Sequence, residues 1–211
     1  MGLTTDQDPD RSGHAYWDQH FLRRGYAYGV TPNAFLAARV FGPHSGKALC
    51  LAEGGGRNAV YLAELGFAVT VQDFSSEGLQ LARRLAVERG VCFEDQQVDL
   101  ADFDPPKQGF DLVVAIWMHL SPDLRSTVYG RAAAALKPGG ELILVGYSPR
   151  QLRHHTGGPS ELSWLIEPEQ LRRAFAGLEI LTLAEEEICL DEGPSHQGLS
   201  SVVQFHARRP C

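Results

Sequence analysis

The chain lacks most of the features that would assign a function quickly. Its four cysteines, Cys50, Cys92, Cys189 and Cys211, form no C-x-x-C pair, so neither a metal site nor a dithiol redox motif is expected. Cysteine used this sparingly suits a reducing compartment, and Cys50, inside an apolar run, reads as a small core residue. No apolar stretch approaches the roughly 20 residues that a membrane-spanning helix needs. The opening MGLTTDQDPDRSG is polar and lacks the apolar centre of a signal peptide, so the expected location is the cytoplasm. Basic charge is also short. Lys and Arg number 19 against 26 Asp and Glu, a net charge of −7. A nucleic-acid surface needs a basic stripe to neutralise phosphates, and this balance argues against one while leaving room for a local basic pocket for a small anion. There is no internal repeat and no low-complexity block. What remains, 211 residues with 44% hydrophobic and 21% charged content, is the composition of one ordinary globular domain.

Along the chain, residues 1–13 are expected to be a disordered lead-in and 14–211 a single domain. Within it, 14–42 reads as a helical lid: an amphipathic stretch carrying Tyr16, Trp17, Phe21 and Leu22, a loop with Tyr26 and Tyr28, and a helix from Pro32 to Phe41. Strands and helices then alternate. Strands are expected at 47–52, 67–72, 91–98, 110–117 and 141–147, and helices at 57–65, 76–89, 122–136 and 168–176. Ser75 or Ser76 caps the second of these helices, and Ser121-Pro122-Asp123 opens the third. Lys137-Pro138-Gly139-Gly140 reads as the terminator of that helix. Near-continuous apolar strands separated by helices predict a parallel sheet covered on both faces. The last two runs, 178–188 and 199–208, leave no room for a helix between them and must pair antiparallel, joined by a long loop, CLDEGPSHQG. The expected fold is therefore α/β and Rossmann-like: a seven-stranded, mostly parallel sheet, helices on both faces, and a C-terminal antiparallel hairpin.

The most informative segment is ALCLAEGGGRN, Ala48 to Asn58. A buried strand breaks into Glu53 and three glycines, and a helix follows, which is how an α/β sheet brings its backbone close to a ligand. The next apolar run ends at Asp73, an acid able to accept hydrogen bonds from both hydroxyls of a ribose. Gly54, Gly56 and Ala59 also fit G-x-G-x-x-A, the nicotinamide-dinucleotide fingerprint, so this turn alone leaves an NAD(P)-dependent oxidoreductase open.

The company of the turn carries a resemblance. An E-G-G-G turn after strand one, an acid after strand two, VDLADF after strand three, FDLVVAIW as strand four, LKPGG before strand five and a closing hairpin resemble the class I S-adenosylmethionine-dependent methyltransferases over residues 14–208. YWDQHFLRRGYAYGVTPNAFL, GGRNAVYLAELG, HHTGGP and DEGPSHQG are similar to the small bacterial tellurite-resistance and thiopurine methyltransferase-like group. One departure is visible: the family's usual G-x-G-x-G begins here with Ala52. The resemblance implies S-adenosyl-L-methionine as cofactor and assigns roles by position. The backbone of Ala52, Glu53, Gly54 and Gly56 lies under the amino-acid moiety with Glu53 near its ammonium, and Arg57 and Asn58 follow. Asp73 takes the ribose, Phe74 packs by the adenine with Ser75 next to it in the binding set, and Asp99 and Leu100 hold and flank that ring. Ala115 and Ile116 lie under the sulfonium, and Trp17 covers the site from the lid.

Methyl transfer from a sulfonium is an in-line displacement whose leaving group is a neutral thioether. The protein must align, exclude water and, where needed, deprotonate the acceptor. His119, two residues past Trp117, and His196, in the terminal hairpin, are the candidate catalytic residues, set beside the plainer possibility that each only packs or caps. Arg150, Arg153, His154 and His155 form either an anion clamp or a solvated face. The expectation is a monomeric or homodimeric enzyme acting on a small molecule, by family analogy a thiol or chalcogen oxyanion, with no nucleic-acid or membrane partner. A non-catalytic cofactor-binding protein is the remaining alternative.

Overall fold

The structure is a computed structural model that describes residues 13–211. The lead-in expected over 1–13 lies, apart from Gly13, outside the described residues. Two helices come first, α1 (His14–Arg24) and α2 (Ala34–Ala37). They precede β1 (Lys47–Leu51), α3 (Arg57–Glu64), β2 (Ala68–Asp73), α4 (Ser76–Arg89), β3 (Glu94–Gln97), β4 (Phe110–Ile116), α5 (Pro122–Ala135) and β5 (Leu136–Tyr147). Two short 3-10 turns, Pro149–Arg153 and Leu162–Trp164, lead to α6 (Pro168–Ala174), β6 (Glu179–Asp191) and β7 (Gln197–Arg208). Among the described residues the strands form one seven-stranded sheet in the order β3-β2-β1-β4-β5-β7-β6. The first five pair parallel, and β7 lies antiparallel between β5 and β6.

The sheet is apolar on both sides because helices cover both sides. Ala48 and Cys50 pack with Leu36, Leu62 and Leu79 on one face, while Leu49 and Leu51 pack with Val128, Tyr129 and Phe175 on the other. Successive strand residues point to opposite faces, so an unbroken apolar run feeds two cores at once. The edges are polar: β3 is Glu94-Asp95-Gln96-Gln97, and β6 carries Glu185, Glu186 and Glu187, which discourages pairing with another chain. Of the two serines before α4, Ser75 is the cap, its Oγ accepting from the Gly78 N–H at 3.1 Å. Among the described residues no helix is long and apolar enough to cross a membrane.

Four boundaries differ by more than two residues from the sequence expectations, and the first is the strand expected over 91–98, which is reduced to Glu94–Gln97. Residues 137–140 do not merely end α5: β5 starts at Leu136, and the Gly139 and Arg209 N–H groups donate to the Arg209 and Gly140 carbonyls at 2.9 and 2.8 Å. Pairing with the C-terminal strand draws this Pro-Gly-Gly segment into the sheet. The helix expected over 32–41 shrinks to Ala34–Ala37, because the Asn33 side chain accepts from the Phe35 and Leu36 N–H groups and fixes the start. The long loop expected over 189–198 is half strand. Pairing continues through Leu190↔Gly198 and Asp191↔Gln197, so only the Glu192–His196 stretch turns.

Helix α1 is fastened to the sheet domain by Asp18 and Phe21. The Asp18 carboxylate accepts from Ser75 Oγ at 2.6 Å and from the Glu77 N–H at 3.3 Å, at the start of α4. Phe21 is 6% exposed, a burial worth about 1.5–3 kcal/mol.

Candidate functional site

The turn between β1 and α3 is held by two carboxylates. Glu53 Oε1 accepts from the Asn58 and Ala59 N–H groups at 2.8 and 2.9 Å, capping a helix whose N-cap, Gly56, has no side chain to do so. Asp73 Oδ2 accepts from the Gly54 N–H and Oδ1 from the Ser75 N–H, both at 2.8 Å. Burial pushes Glu53 up to about 7 and Asp73 up to about 6, against the opposing pull of those backbone N–H groups. Ala52, in place of the usual glycine, sits at φ 48, in the left-handed region that costs an L-residue about 1–2 kcal/mol. The glycines that remain are required by neighbours. A Cβ on Gly54 would lie 2.7 Å from Phe21 Cζ, and one on Gly56 would lie 2.6 Å from Ala82 Cβ and 2.7 Å from its Cα.

A cavity of about 780 Å³ opens where β1, β2 and β4 end, beside the β1/β4 junction at which the strand order reverses. That is where open α/β sheets bind ligands. Trp17, Ala52, Glu53, Gly54, Arg57, Asn58, Asp73, Phe74, Asp99, Leu100, Ile116, His119 and His196 all line it, so thirteen of the residues named from sequence come together. Gly56, Ser75 and Ala115 do not line it. Gly56 is turned to α4, Ser75 caps α4 and donates to Asp18, and Ala115, 2% exposed, packs in the core beneath. All three tryptophans, Trp17, Trp117 and Trp164, stand in the wall.

The far end of the cavity is aromatic. Tyr28 and Trp117 stand 4.6 and 4.5 Å from His196, and Trp117 stands 4.6 Å from Tyr147, between ring centroids. His119 has a different role from a free base. The Tyr147 backbone N–H donates to its Nε2 at 2.9 Å. That bond fixes Nε2 as the acceptor, so Nδ1 carries the proton and donates to the Trp117 carbonyl at 3.1 Å. His119 thereby continues the strand ladder past Ile116 and holds Trp117, whose φ is 60. Its imidazole is tied to backbone at both nitrogens. The basic cluster after β5 also divides. Arg150 and His154 pair with Glu185 and Glu187 on β6 at 3.4 and 3.2 Å, Arg153 is exposed, and His155 alone of the four lines the cavity. No anion clamp forms from these residues.

Glu192 and Asn33, without an assigned role in the sequence, brace residues of the cavity wall. Glu192 accepts from Arg57, Trp117 and Asn33, and the Asn33 N–H in turn donates to Asn58 Oδ1 at 2.9 Å. Glu192 stands in DEGPSHQG, where Gly, Pro and Ser signal a turn and mask a buried acid. Gly193 explains the close seat of that turn: a Cβ there would lie 2.3 Å from Gly29 N, and the Ser195 N–H donates to the Ala27 carbonyl at 2.9 Å. The N-terminal loop and the terminal hairpin thus meet backbone to backbone over the cavity.

Residues 48–140 match the family described as Methyltransferase domain. A ubiquinone biosynthesis O-methyltransferase of Paramagnetospirillum magneticum is 37% identical over 123 residues, 57% of this chain and 47% of that protein. The chain spans about half the length of this curated relative. Among solved structures, one described as the conversion of a disulfide bond into a thioacetal group during echinomycin biosynthesis matches with TM-score 0.74 at 20% identity, covering 93% of each chain. A SAM-dependent methyltransferase from Methanosarcina mazei matches with TM-score 0.67 at 18% identity, over 85% of this chain and 99% of that one. TehB from Haemophilus influenzae matches with TM-score 0.67 at 19% identity, over 92% and 67%. The fold of the chain is the Rossmann-like fold of S-adenosylmethionine-dependent methyltransferases.

Proposed function

We propose that the chain transfers the methyl group of S-adenosylmethionine to a small-molecule acceptor. The observation that carries this reading is the set of polar groups at the β1/β4 end of the cavity. It offers a carboxylate for an ammonium (Glu53), a buried guanidinium nitrogen with no hydrogen-bond partner for a carboxylate (Arg57 Nη1), and a carboxylate for a ribose diol (Asp73). Each Asp73 oxygen already takes one backbone N–H, and a carboxylate has about four acceptor sites, so two hydroxyls can still be served. An amino acid joined to a nucleoside fits that set. The methyltransferase-family match over residues 48–140 and the O-methyltransferase relative point the same way.

The bound cofactor supplies an electrophilic methyl group on a sulfonium. The chain's own residues then bind, orient and dry the site. Trp17, Trp117 and Tyr147 wall it with aromatic surface, and His196, among those rings, is the imidazole we assign to taking the acceptor's proton. A thiol or chalcogen oxyanion is the acceptor we favour. The likeness to TehB supports the fold of that group, and the acceptor itself rests on analogy. A monomer or homodimer working in the cytoplasm on a small molecule completes the reading.

Calorimetry with S-adenosylhomocysteine and NADH is the direct test. Micromolar binding of the former and weak binding of the latter is expected, and the reverse order would return the oxidoreductase reading. Tight S-adenosylhomocysteine binding without turnover on any thiol, selenium, tellurite or phenol acceptor would return the non-catalytic one.

A further inference from the structure

Four parts of the chain, far apart in sequence, meet at one carboxylate. Glu192, in the turn between β6 and β7, accepts through Oε2 from Arg57 Nη2 at 2.6 Å and from Trp117 Nε1 at 2.9 Å, and through Oε1 from Asn33 Nδ2 at 2.7 Å. Arg57 is 5% exposed and Glu192 is 7% exposed. An ion pair buried this deeply gains little stability for the fold, because desolvating both charges cancels most of their attraction. Its geometry offers another use. A guanidinium is a rigid planar fork, so gripping one terminal nitrogen sets the direction of the other. Arg57 Nη1 is that other nitrogen. It is buried, has no hydrogen-bond partner, and belongs to a side chain in the cavity wall next to Glu53 and Asn58.

We propose that Glu192 is a positioning residue: it holds the Arg57 fork so that Nη1 is presented to the α-carboxylate of the cofactor's methionine moiety. This rests on the cofactor reading above and goes beyond it by giving the terminal hairpin a part in cofactor binding. The same carboxylate holds the Trp117 indole and the start of α2 through Asn33. The carboxylate anchor, the aromatic wall and the N-terminal segment are therefore set by one residue. His196 lies four residues further along the same turn, so the segment that would carry the proton acceptor is also the one that orients the anchor.

The test compares two ligands. S-Adenosylhomocysteine carries the amino-acid moiety, and 5′-methylthioadenosine keeps the nucleoside and the sulfur without it. Glu192→Gln is expected to weaken S-adenosylhomocysteine by about tenfold or more, the scale of one charged hydrogen bond, and to leave methylthioadenosine unchanged. Arg57→Gln should do the same, and adding Glu192→Gln to it should bring no further selective loss, because both act through one contact. That double variant leaves no isolated buried charge, so it serves if Glu192→Gln alone fails to fold. Equal weakening of both ligands, or losses from the two substitutions that add, would overturn the assignment while the cofactor reading stands. Failure of the unaltered protein to bind either ligand would overturn both.

Discussion

The two ends of the cavity are built by opposite means. At the β1/β4 end, carboxylates are forced into a buried place and held by backbone N–H groups: Glu53 by Asn58 and Ala59, Asp73 by Gly54 and Ser75. At the other end the wall is aromatic, and both nitrogens of His119 are tied to backbone. The first end stores an electrostatic cost that a ligand's charge can relieve. The second offers shape and dryness. Binding and chemistry should therefore respond separately to substitution.

The largest expected break is Asp73→Ala. It strands the Gly54 and Ser75 N–H groups in a buried turn and should cost about 3 kcal/mol, read by chemical denaturation. It should also abolish S-adenosylhomocysteine binding in calorimetry. Next comes His119→Ala, which removes the acceptor of the Tyr147 N–H and should cost about 1–3 kcal/mol. The pH profile of any methyl transfer should keep its shape in that variant, as expected where both His119 nitrogens serve the backbone. His196→Phe, by contrast, keeps the ring packing and should leave cofactor affinity intact while turnover falls.

The stored cost at the carboxylate end has a pH signature. Glu53 rises from 4.5 to about 7 and Asp73 from 3.8 to about 6 in the folded state. The folded protein therefore holds more protons than the unfolded chain between those values. This contribution to stability is fully present below about 4 and is lost as pH rises towards 7. The free protein should melt at lower temperature at pH 7 than at pH 5. An ammonium placed beside Glu53 favours its ionised form, so cofactor binding near pH 7 should release protons. Binding enthalpies measured in buffers of different ionisation heat would show this, and Glu53→Gln should remove it. The smallest effect is expected from Ala52→Gly. Relief of φ 48 should stabilise by about 0.5–1 kcal/mol in a thermal melt, after the added freedom of the unfolded glycine is subtracted.

Much of this was legible in the sequence because it is local. The break from ALCLA into glycines, the acid ending β2 and the strand–helix alternation follow from residue type and spacing. Eleven of the thirteen named residues that line the cavity end or follow β1 to β4, because the carboxyl ends of parallel strands share one side of a sheet. The departures come from pairing at a distance. The terminal hairpin is longer than its turn chemistry suggests because the β6–β7 ladder continues to Asp191↔Gln197. Gly56 and Ser75 do not line the cavity, because Gly56 packs on α4 and Ser75 caps α4 and binds Asp18.

The sequence by itself determined the sheet, the order in which its strands alternate with helices, and the presence of acids at the ends of β1 and β2, since periodicity and composition act over a few residues. Only the tertiary structure decided what those acids and their neighbours do. It made Glu53 a helix cap, made His119 a backbone tie, and brought Glu192 to Arg57 across 135 residues of chain. The physical reason is that a side chain's role is set by which donors and acceptors surround it once water is excluded, and those partners arrive only when distant segments pack.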